Sequence, residues 1–282
     1  MDIDNEHFNT QIPRRKYISF DIELYNDLEE DESGKTLYGN LIPSIAAFTT
    51  DGEKVEFYYD EPHISPETCS KVADDMLELI SVGYTPLAWN GVSFDFRVMG
   101  VYSGEVEKYS KIALSSIDPM LLVTFKKGYF LGLDKALVGA GLESKTHAVT
   151  LNNGETIFDM EGAKAPQMWR DGEIEAVKEY LSGDVIQPYK LARLLEENPT
   201  IKWTSNNGKS MSCPAPLVQV ASLYNWPVVY NGWMDNPPTR EQFIDWIPEE
   251  ILEQYFIPEC IRRTQLEYEE SMEKKRLEKE LK

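Results

Sequence analysis

Three segments within the first sixty residues alternate hydrophobic and polar positions in the way that β-strands do. Residues 16–24 mix aromatic and β-branched residues with polar ones, which predicts a first strand. Two further strands, at 45–49 and 54–59, flank Asp51-Gly52, a dipeptide typical of a hairpin turn. We therefore expect a meander of three antiparallel strands, with the highly charged segment 26–34 forming a mobile loop after the first.

Helical spacing of the apolar residues dominates the next part of the chain. Ser65-Pro66 is typical of a helix start, and the pattern after it predicts a helix that ends at Gly83. A short strand follows at 86–89, and residues 90–95 form a turn that leads into a helix. Two more helices are predicted, one from about residue 133 and one at 174–195. The order β-β-β-α-β-α-α-α predicts an α/β fold in which helices flank a mixed sheet, antiparallel in its first three strands.

The amino-acid composition changes near residue 200, where tryptophan and proline become frequent and the periodic spacing of apolar residues is lost. We predict a main domain at 1–198 and a small Trp/Pro-rich C-terminal extension at 199–282. The extension ends in a charged helix from about Glu249, interrupted by Pro258, with mixed Glu and Lys at helical spacings. This helix is interpreted as a solvated surface helix, with partner binding as the alternative.

Charge restricts the partners of the chain. Its 282 residues include 48 acidic and 28 basic side chains, for a net charge of −20. Such a surface repels polyanions in general. Any contact with nucleic acid must therefore be local, through a basic strip or through divalent cations bound at the site that holds phosphate.

Several protein classes are excluded by composition. No apolar stretch approaches the roughly 20 residues that cross a bilayer, so no membrane partner is expected. The acidic N-terminus does not resemble a secretory signal, so we expect a cytoplasmic location. Cys69, Cys213 and Cys260 lie far apart without a C-x-x-C pair, which indicates reduced thiols and no zinc site.

Acidic residues of the first predicted strand are the first candidates for chemistry. Asp21 and Glu23 lie two positions apart and share one face, opposite Phe20 and Ile22. Alone, such a pair is typical of a solvated strand end. In a buried strand, two like charges are costly unless a cation offsets them.

Two later segments add an aspartate each. Asp95 begins a predicted helix, where an aspartate is commonly a cap. Tyr180 and Asp184 are four apart on another predicted helix, so they share a face, although each alone is typical of a helix surface.

Taken together, three segments resemble the three motifs of the DEDD superfamily of 3′–5′ exonucleases. They are Phe-Asp-Ile-Glu at 20–23, Asn-Gly-Val-Ser-Phe-Asp at 90–95 and Tyr-Leu-Ser-Gly-Asp at 180–184. The tyrosine of the third is like that of the DEDDy branch. The second, from an asparagine to Phe-Asp, resembles the proofreading exonuclease domain of family B DNA polymerases. The resemblance covers about residues 16–197, and 117–134 also looks like the stretch between the second and third motifs.

The resemblance implies an RNase H-like fold and a set of functional residues. The four carboxylates would hold two divalent metal ions, Mg²⁺ or Mn²⁺, and are Asp21, Glu23, Asp95 and Asp184. Tyr180 would orient the attacking water, and Asn90 would contact the strand near its 3′ end. Phe94 would stack on the terminal base or pack in the core.

Two departures accompany the resemblance. Pro188 lies four residues after Asp184, which predicts a kink or break in the helix just beyond the site. No polymerase active-site motif follows, which favours a stand-alone nuclease domain or a subunit of a larger assembly.

Residues 201–210 form a further candidate substrate contact. The segment combines Trp203 with two lysines and predicts a hairpin around Asn207-Gly208. Bases stack on exposed aromatic rings and lysines bind phosphates. The alternative is an ordinary hairpin with Trp203 packed on the main domain.

The predicted function is a metal-dependent 3′–5′ exonuclease acting on single-stranded ends. DNA is favoured over RNA because the second motif is polymerase-like. One alternative is an exoribonuclease with the same site, and another is a non-catalytic binding module for nucleic acid or protein. If a polymerase, helicase or other replication or repair protein binds the chain, we expect it to use the C-terminal region.

Overall fold

A four-stranded mixed sheet forms the centre of the molecule. The computed structural model describes residues 14–32, 34–223 and 240–255, together with positions 270, 273, 276 and 277. Strand β1 (Lys16–Leu24) pairs antiparallel with β2 (Pro43–Thr49), which pairs antiparallel with β3 (Glu56–Tyr59). On its other side β1 pairs parallel with β4 (Tyr84–Leu87), so the strand order is β3-β2-β1-β4. The predicted mixed sheet, antiparallel in its first three strands, is confirmed.

Seven α-helices accompany this sheet in the described residues up to 197. They are α1 (Pro66–Ser81), α2 (Asp95–Ser103), α3 (Val106–Ser115), α4 (Pro119–Lys127), α5 (Leu133–Gly139), α6 (Ala165–Arg170) and α7 (Ile174–Glu197). A two-stranded hairpin lies between α5 and α6, with strands β5 (Val149–Thr150) and β6 (Thr156–Ile157). Later elements are β7 (Thr200–Thr204), β8 (Ser210–Pro214), α8 (Val220–Leu223), α9 (Arg240–Ile244) and α10 (Glu249–Tyr255).

Helices pack on both faces of the sheet, which establishes the mixed α/β class. Phe20 and Ile22 of β1 join a core cluster that contains residues of α1 and α2. Ile45 and Ala47 of β2, directly opposite Glu23 and Asp21, join a second cluster with residues of α6 and α7. The two acids of β1 therefore lie on the α7 side of the sheet.

Local signals in the sequence explain the start of α1. The Ser65 hydroxyl accepts a hydrogen bond from the backbone N–H of Thr68 at 3.2 Å, and Pro66 occupies the first helical position. The predicted helix is confirmed and ends at Ser81. Helix α4 was not predicted because its residues from Pro119 to Phe125 are all buried, which removes the alternation that marks an amphipathic helix.

The acidic segment after β1 is hydrogen-bonded, contrary to the expectation of a mobile loop. The Asn26 side chain donates to the carbonyl of Asn40 and accepts from the backbone N–H of Ile42, both at 2.8 Å. Glu30 and Thr36 form an isolated antiparallel bridge. Asparagine side chains supply the backbone contacts that the charge pattern alone does not reveal.

The described residues after 199 share the core of the preceding part. The hairpin predicted around Asn207-Gly208 is confirmed as β7–β8 and packs against α5. A Cβ at Gly139 of α5 would lie 1.7 Å from the carbonyl oxygen of Lys202, so only glycine permits this approach. Core residues of this part include Ile201, Trp203, Leu217, Val220, Phe243 and Ile251. The domain boundary at residue 198 stays a prediction.

Helix α10 coincides with the start of the predicted charged helix. Pro258 and most of the segment after it lie outside the described residues. Within the described part of the chain, every helix is too short or too polar to span a bilayer.

Candidate active site

Three acidic side chains from β1 and α7 converge at one place. One carboxylate oxygen each of Asp21, Glu23 and Asp184 lies within 4.8 Å of the others. Glu23 and Asp184 are 7% and 6% exposed, and Asp21 faces an adjoining cleft. The juxtaposition arises because β1 directs its alternate residues toward α7, which packs on it.

Asp95 joins this cluster from the first turn of α2. Its carboxyl group lies close enough to that of Asp21 for the two to shift each other's pKa. It is 3% exposed. All four acids of the three sequence segments thus lie together, and we call them the acid cluster.

Burial makes ionisation of the acid cluster costly. Removal from water and the neighbouring carboxylates raise the pKa of Asp21 and of Glu23 well above their usual values. Burial also raises the pKa of Asp95 to about 7, against the hydrogen bonds it accepts. In the absence of a cation, part of the cluster therefore holds protons near neutral pH.

Lys145 lies against the acid cluster and was not singled out by the sequence. Its Nζ is 2.8 Å from Oδ2 of Asp184 and donates to the hydroxyl of Tyr180 at 3.1 Å. Burial by itself would lower the pKa of Lys145, but Asp184 and Tyr180 raise it overall, so the ammonium stays charged. A single lysine in a polar loop carries no sequence signal for this position.

The loop that carries Lys145 is held between two helices. Asp134 of α5 accepts from the hydroxyl of Ser144 at 2.5 Å and from the backbone N–H of Lys145 at 3.1 Å. On the other side, Thr146 packs against Gly183 of α7, where a Cβ would lie 2.2 Å from Oγ1 of Thr146. These contacts fix where the lysine enters the site.

Tyr180 lies one helical turn before Asp184 and is buried. Its hydroxyl contacts both Lys145 and the Asp184 carboxylate. Burial and the Asp184 carboxylate raise the pKa of the Tyr180 phenol, with Lys145 opposing them. The phenol is therefore neutral at physiological pH and acts by hydrogen bonding.

Asp118 fixes the turn that precedes α2. Its carboxylate accepts from the backbone N–H groups of Asn90 at 3.1 Å, Val92 at 3.4 Å and Leu121 at 3.1 Å. Burial raises the pKa of Asp118 to about 6, although these hydrogen bonds oppose the rise. Asn90 has a positive φ of 73°, a conformation that asparagine tolerates better than most residues. Asp118 thus positions Asn90 across 28 residues of sequence.

A cleft of about 710 Å³ opens beside the acid cluster. Asp21, Asp184 and Lys145 line it together with Asn90 and Phe94. Its other lining residues are mainly apolar and include Leu28, Tyr38, Trp89, Met120, Phe130, Leu131 and Leu133. The Trp89 indole donates to the carbonyl of Leu131 at 3.0 Å, which ties two walls together.

Two of the three predicted substrate contacts lie at the cleft. Asn90 and Phe94 line it, although Phe94 also packs against the main core. Trp203 does not. It is 4% exposed and packs beside Tyr129, so the expectation that it stacks on a base is corrected: its ring has no open face.

The expected break beyond Asp184 is wrong, whereas the alternative of a kink at Pro188 stays a prediction. Helix α7 continues through Pro188 to Glu197. Pro188 removes one backbone hydrogen bond, but residues around it, among them Val185 and Leu191, are buried against the core. Packing therefore holds the helix together where local propensity opposes it.

The donor set suits a hard divalent cation. Oδ1 of Asp184 is buried and has no hydrogen-bond partner among the described residues. Its other oxygen is bound by Lys145, and the remaining ligands on offer are carboxylate oxygens of Asp21 and Glu23. Mg²⁺ and Mn²⁺ prefer such oxygen ligands, so the residues present fit these ions.

Comparison with known proteins gives structural similarity alone. No protein-family model and no curated protein matches the chain. The family B DNA polymerase of the hyperthermophilic archaeon Pyrobaculum calidifontis is 17% identical over 65% of this chain and 25% of the polymerase, with a TM-score of 0.49. The chain therefore spans about a quarter of that polymerase.

Two structures of exonuclease I are also similar. A product-bound structure is 13% identical over 66% of this chain and 44% of its own, with a TM-score of 0.33. The E. coli enzyme in complex with a 5cy-dT13 oligonucleotide is 13% identical over 91% of this chain and 71% of its own, also at 0.33.

Proposed function

We propose that the protein is a metal-dependent 3′–5′ exonuclease, which hydrolyses phosphodiester bonds at the 3′ ends of single-stranded nucleic acid. The observation that carries this proposal is the acid cluster, in which four carboxyl groups from three distant segments meet beside a cleft. Burying like charges together is costly, so such a cluster points to a cationic ligand.

Asp21, Glu23, Asp95 and Asp184 are the residues that would hold two divalent ions. Bound there, Mg²⁺ or Mn²⁺ would supply charge stabilisation for a phosphoryl displacement and activate a water molecule. A cation held there would favour the ionised forms of Asp21 and Asp95, whose pKa values are raised chiefly by burial.

Tyr180 and Lys145 would orient the attacking water. The Tyr180 hydroxyl accepts a hydrogen bond from Lys145, which leaves its own proton to donate toward Asp184 or toward water. Because the phenol is neutral, Tyr180 acts as a positioning group rather than as a base.

The cleft favours a chain end as the substrate. Its volume of about 710 Å³ is within the range of pockets that enclose one small ligand. Asn90 would contact the sugar-phosphate near the 3′ terminus, and Phe94 and Phe130 offer ring surface to the terminal base. DNA is favoured over RNA on the polymerase-like second motif, and an exoribonuclease with the same site is the second enzyme candidate.

The test is a gel assay on 5′-labelled single-stranded DNA and RNA in Mg²⁺, Mn²⁺ or EDTA. We expect a ladder that shortens from the 3′ end and requires metal. Asp21→Asn should slow cleavage at least about 10³-fold, because metal-bound charge stabilisation contributes several kcal/mol. Tyr180→Phe should slow it about 10–100-fold, the worth of one hydrogen bond in a charged site.

Glu56→Gln, an exposed acid on β3, is the matched control and should cleave at the wild-type rate. Relative rates on DNA and RNA separate the two enzyme candidates. Absence of cleavage of both polymers, with Mg²⁺ bound to the wild-type protein, would contradict the proposal and favour a binding module.

A further inference from the structure

Two segments, the first of which lines part of the cleft, contain no acidic residue, although the chain has 48 acids in 282 positions. They are residues 119–133 and 198–223. Both carry lysines, and one more lysine lies on α5 between them. We call these five residues the lysine face: Lys126, Lys127, Lys135, Lys202 and Lys209.

Three contacts of the lysine face go to neutral groups. Lys126 donates to the carbonyl of Pro214 at 3.0 Å, Lys127 lies 5.9 Å from the ring centre of Trp203, and Lys135 donates to the Asn206 side chain at 2.6 Å. The salt bridges between residues of the described ranges do not include Lys135, Lys202 or Lys209. Positive charge is therefore not cancelled locally at these three.

Several lysines elsewhere in the described ranges are paired with acids. Lys71 pairs with Asp75 at 2.9 Å, Lys108 with Asp74 at 2.8 Å, and Lys178 with Glu175 at 2.9 Å. Against this background the lysine face is a local positive surface on a chain of net charge −20. A polyanion approaching the acid cluster is attracted there and repelled by the rest of the molecule.

The lysine face begins at the wall of the cleft. Residues 130–134 line the cleft. Lys135 follows them directly, and Lys127 precedes Phe130 by three residues, which limits their Cα separation to about 11 Å. The β7–β8 hairpin is held on α5 by the close approach of Gly139 to Lys202 and by the bond from Lys135 to Asn206. The cleft wall, helix α5 and the β7–β8 hairpin are therefore directly connected to one another.

We propose that the lysine face binds the phosphate backbone of single-stranded nucleic acid, on the same strand whose 3′ end enters the cleft. The inference rests on the proposed function and adds the path of the strand. Lysine binds phosphate as a point charge without reading sequence, so this contact holds any single strand. It also assigns the hairpin a role that the buried ring of Trp203 cannot perform.

The test compares two triple variants of the full chain that change net charge equally. Lys135→Gln, Lys202→Gln and Lys209→Gln remove the exposed part of the lysine face. Lys54→Gln, Lys71→Gln and Lys190→Gln remove three exposed lysines on other elements and serve as the control. Binding of fluorescent single-stranded DNA and RNA of about 20 nucleotides is followed by anisotropy in EDTA, between roughly 50 and 200 mM salt.

Counterion release gives the expected size of the effect. Each phosphate contact on a single strand contributes about 0.7 to the slope of log K against log salt, so the lysine-face triple should lower the slope by about 2. At 0.1 M salt this corresponds to roughly 10- to 100-fold weaker binding. The control triple should keep the wild-type slope. Lys209→Gln alone, at the hairpin turn, should lower the slope by about 0.7.

Equal slopes of log K against log salt in the two triple variants would overturn the proposal that the lysine face binds the strand, because net charge alone would then explain the binding. Binding in EDTA needs no turnover, so this failure is separate from that of the proposed function. If the wild type cleaves 3′ ends and both triple variants keep the wild-type slope, only the proposal of the lysine face fails. If the wild type binds through these lysines but does not cleave, only the proposal of an exonuclease fails.

Discussion

Lys145 is the side chain on which the charge state of the acid cluster depends most directly. It places a cation against Oδ2 of Asp184 and leaves Oδ1 of the same carboxylate without a partner among the described residues. When the four buried acids are ionised, one lysine still leaves a net anionic site. Lys145 therefore lowers the repulsion within the cluster without neutralising it.

Replacing Lys145 by methionine should affect metal binding and catalysis in opposite directions. Losing a positive charge beside Asp184 should lower the Mg²⁺ concentration for half-maximal activity about fivefold, the equivalent of about 1 kcal/mol. The same change should lower kcat about 10–100-fold, because Tyr180 loses its hydrogen-bond donor. Titrations of rate against Mg²⁺ measure both.

Lys145→Arg keeps the charge and is the matched control, with half-saturation close to that of the wild type. If the methionine variant instead needed more Mg²⁺, Lys145 would be holding Asp184 in place for the metal, and the electrostatic account would be wrong.

Single residues were predictable where one element determined their neighbours. The strand period placed Asp21 and Glu23 on one face, and the helical period placed Tyr180 with Asp184. Lys145 and Asp118 were not predictable, because each acts on a segment that is distant in sequence. Asp118 binds the turn at Asn90, and Lys145 depends on contacts from both α5 and α7.

At the scale of elements, α7 is the part of the fold that assembles the site. It packs on β1, carries Tyr180 and Asp184, and contacts the Lys145 loop through Gly183. Thr146 approaches so closely that no side chain fits at residue 183, and the loop packs directly on the helix backbone. The position of Lys145 is therefore set by packing as well as by its ion pair.

Gly183→Ala should displace the Lys145 loop. The added methyl group would lie 2.2 Å from Oγ1 and 3.0 Å from Cβ of Thr146, so the loop must shift. We expect a loss of about 1–3 kcal/mol in the free energy of unfolding, as for other overpacked sites. Cleavage should slow as well, since Lys145 moves with the loop.

Denaturant unfolding and the cleavage assay measure these two effects. The double variant Gly183→Ala with Thr146→Gly removes the clashing side chain and should recover part of both. Wild-type stability and rate in Gly183→Ala would show that the loop yields without consequence and would remove this contact from the account.

Elements with clear periodicity or capping were predicted, and buried or very short ones were not. Strand β1, helix α1 and the β7–β8 hairpin followed from alternation, a Ser-Pro start and an Asn-Gly turn. Helix α4 has no polar side up to Phe125, and the two-residue strands β5 and β6 are too short to show a pattern. The helix break expected at Pro188 does not occur, because packing outweighs the local effect of the proline.

At the scale of the whole molecule, the acid cluster makes stability depend on pH. The pKa values of Asp21, Glu23 and Asp184 are raised in the fold by burial, and that of Asp95 is raised to about 7. Between about pH 4 and pH 7 the folded protein therefore binds more protons at these groups than the unfolded chain does. Their contribution to stability is present at low pH and is lost as pH rises through the folded pKa values.

Divalent metal should remove most of this loss. In EDTA we expect the midpoint temperature of unfolding to decrease as the pH is raised from 5 to 8. In Mg²⁺ it should decrease less, so that the midpoints in EDTA and in Mg²⁺ differ by about 5 °C at pH 8. Asp21→Asn should flatten the EDTA curve because it removes one of the repelling charges. Differential scanning fluorimetry across this pH range measures the wild-type midpoints in EDTA and in Mg²⁺ and those of the variant in EDTA.

Asp118 provides an internal reference for that experiment. Its pKa is raised to about 6, but its carboxylate binds backbone N–H groups outside the cluster of possible ligands. Its share of the pH dependence should therefore persist in Mg²⁺. Parallel curves in EDTA and Mg²⁺ would contradict the assignment of the four acids to a metal site.

The segment 240–255 determines where the chain can be cut. Asp245 pairs with Arg97 of α2 at 2.8 Å, the Trp246 indole donates to the carbonyl of Val92 at 3.0 Å, and Phe243 packs edge-on against Phe125. A fragment ending at residue 198 would uncover apolar surface and release the turn before Asp95. Shortened versions made for crystallisation or fusion should therefore extend at least to residue 255.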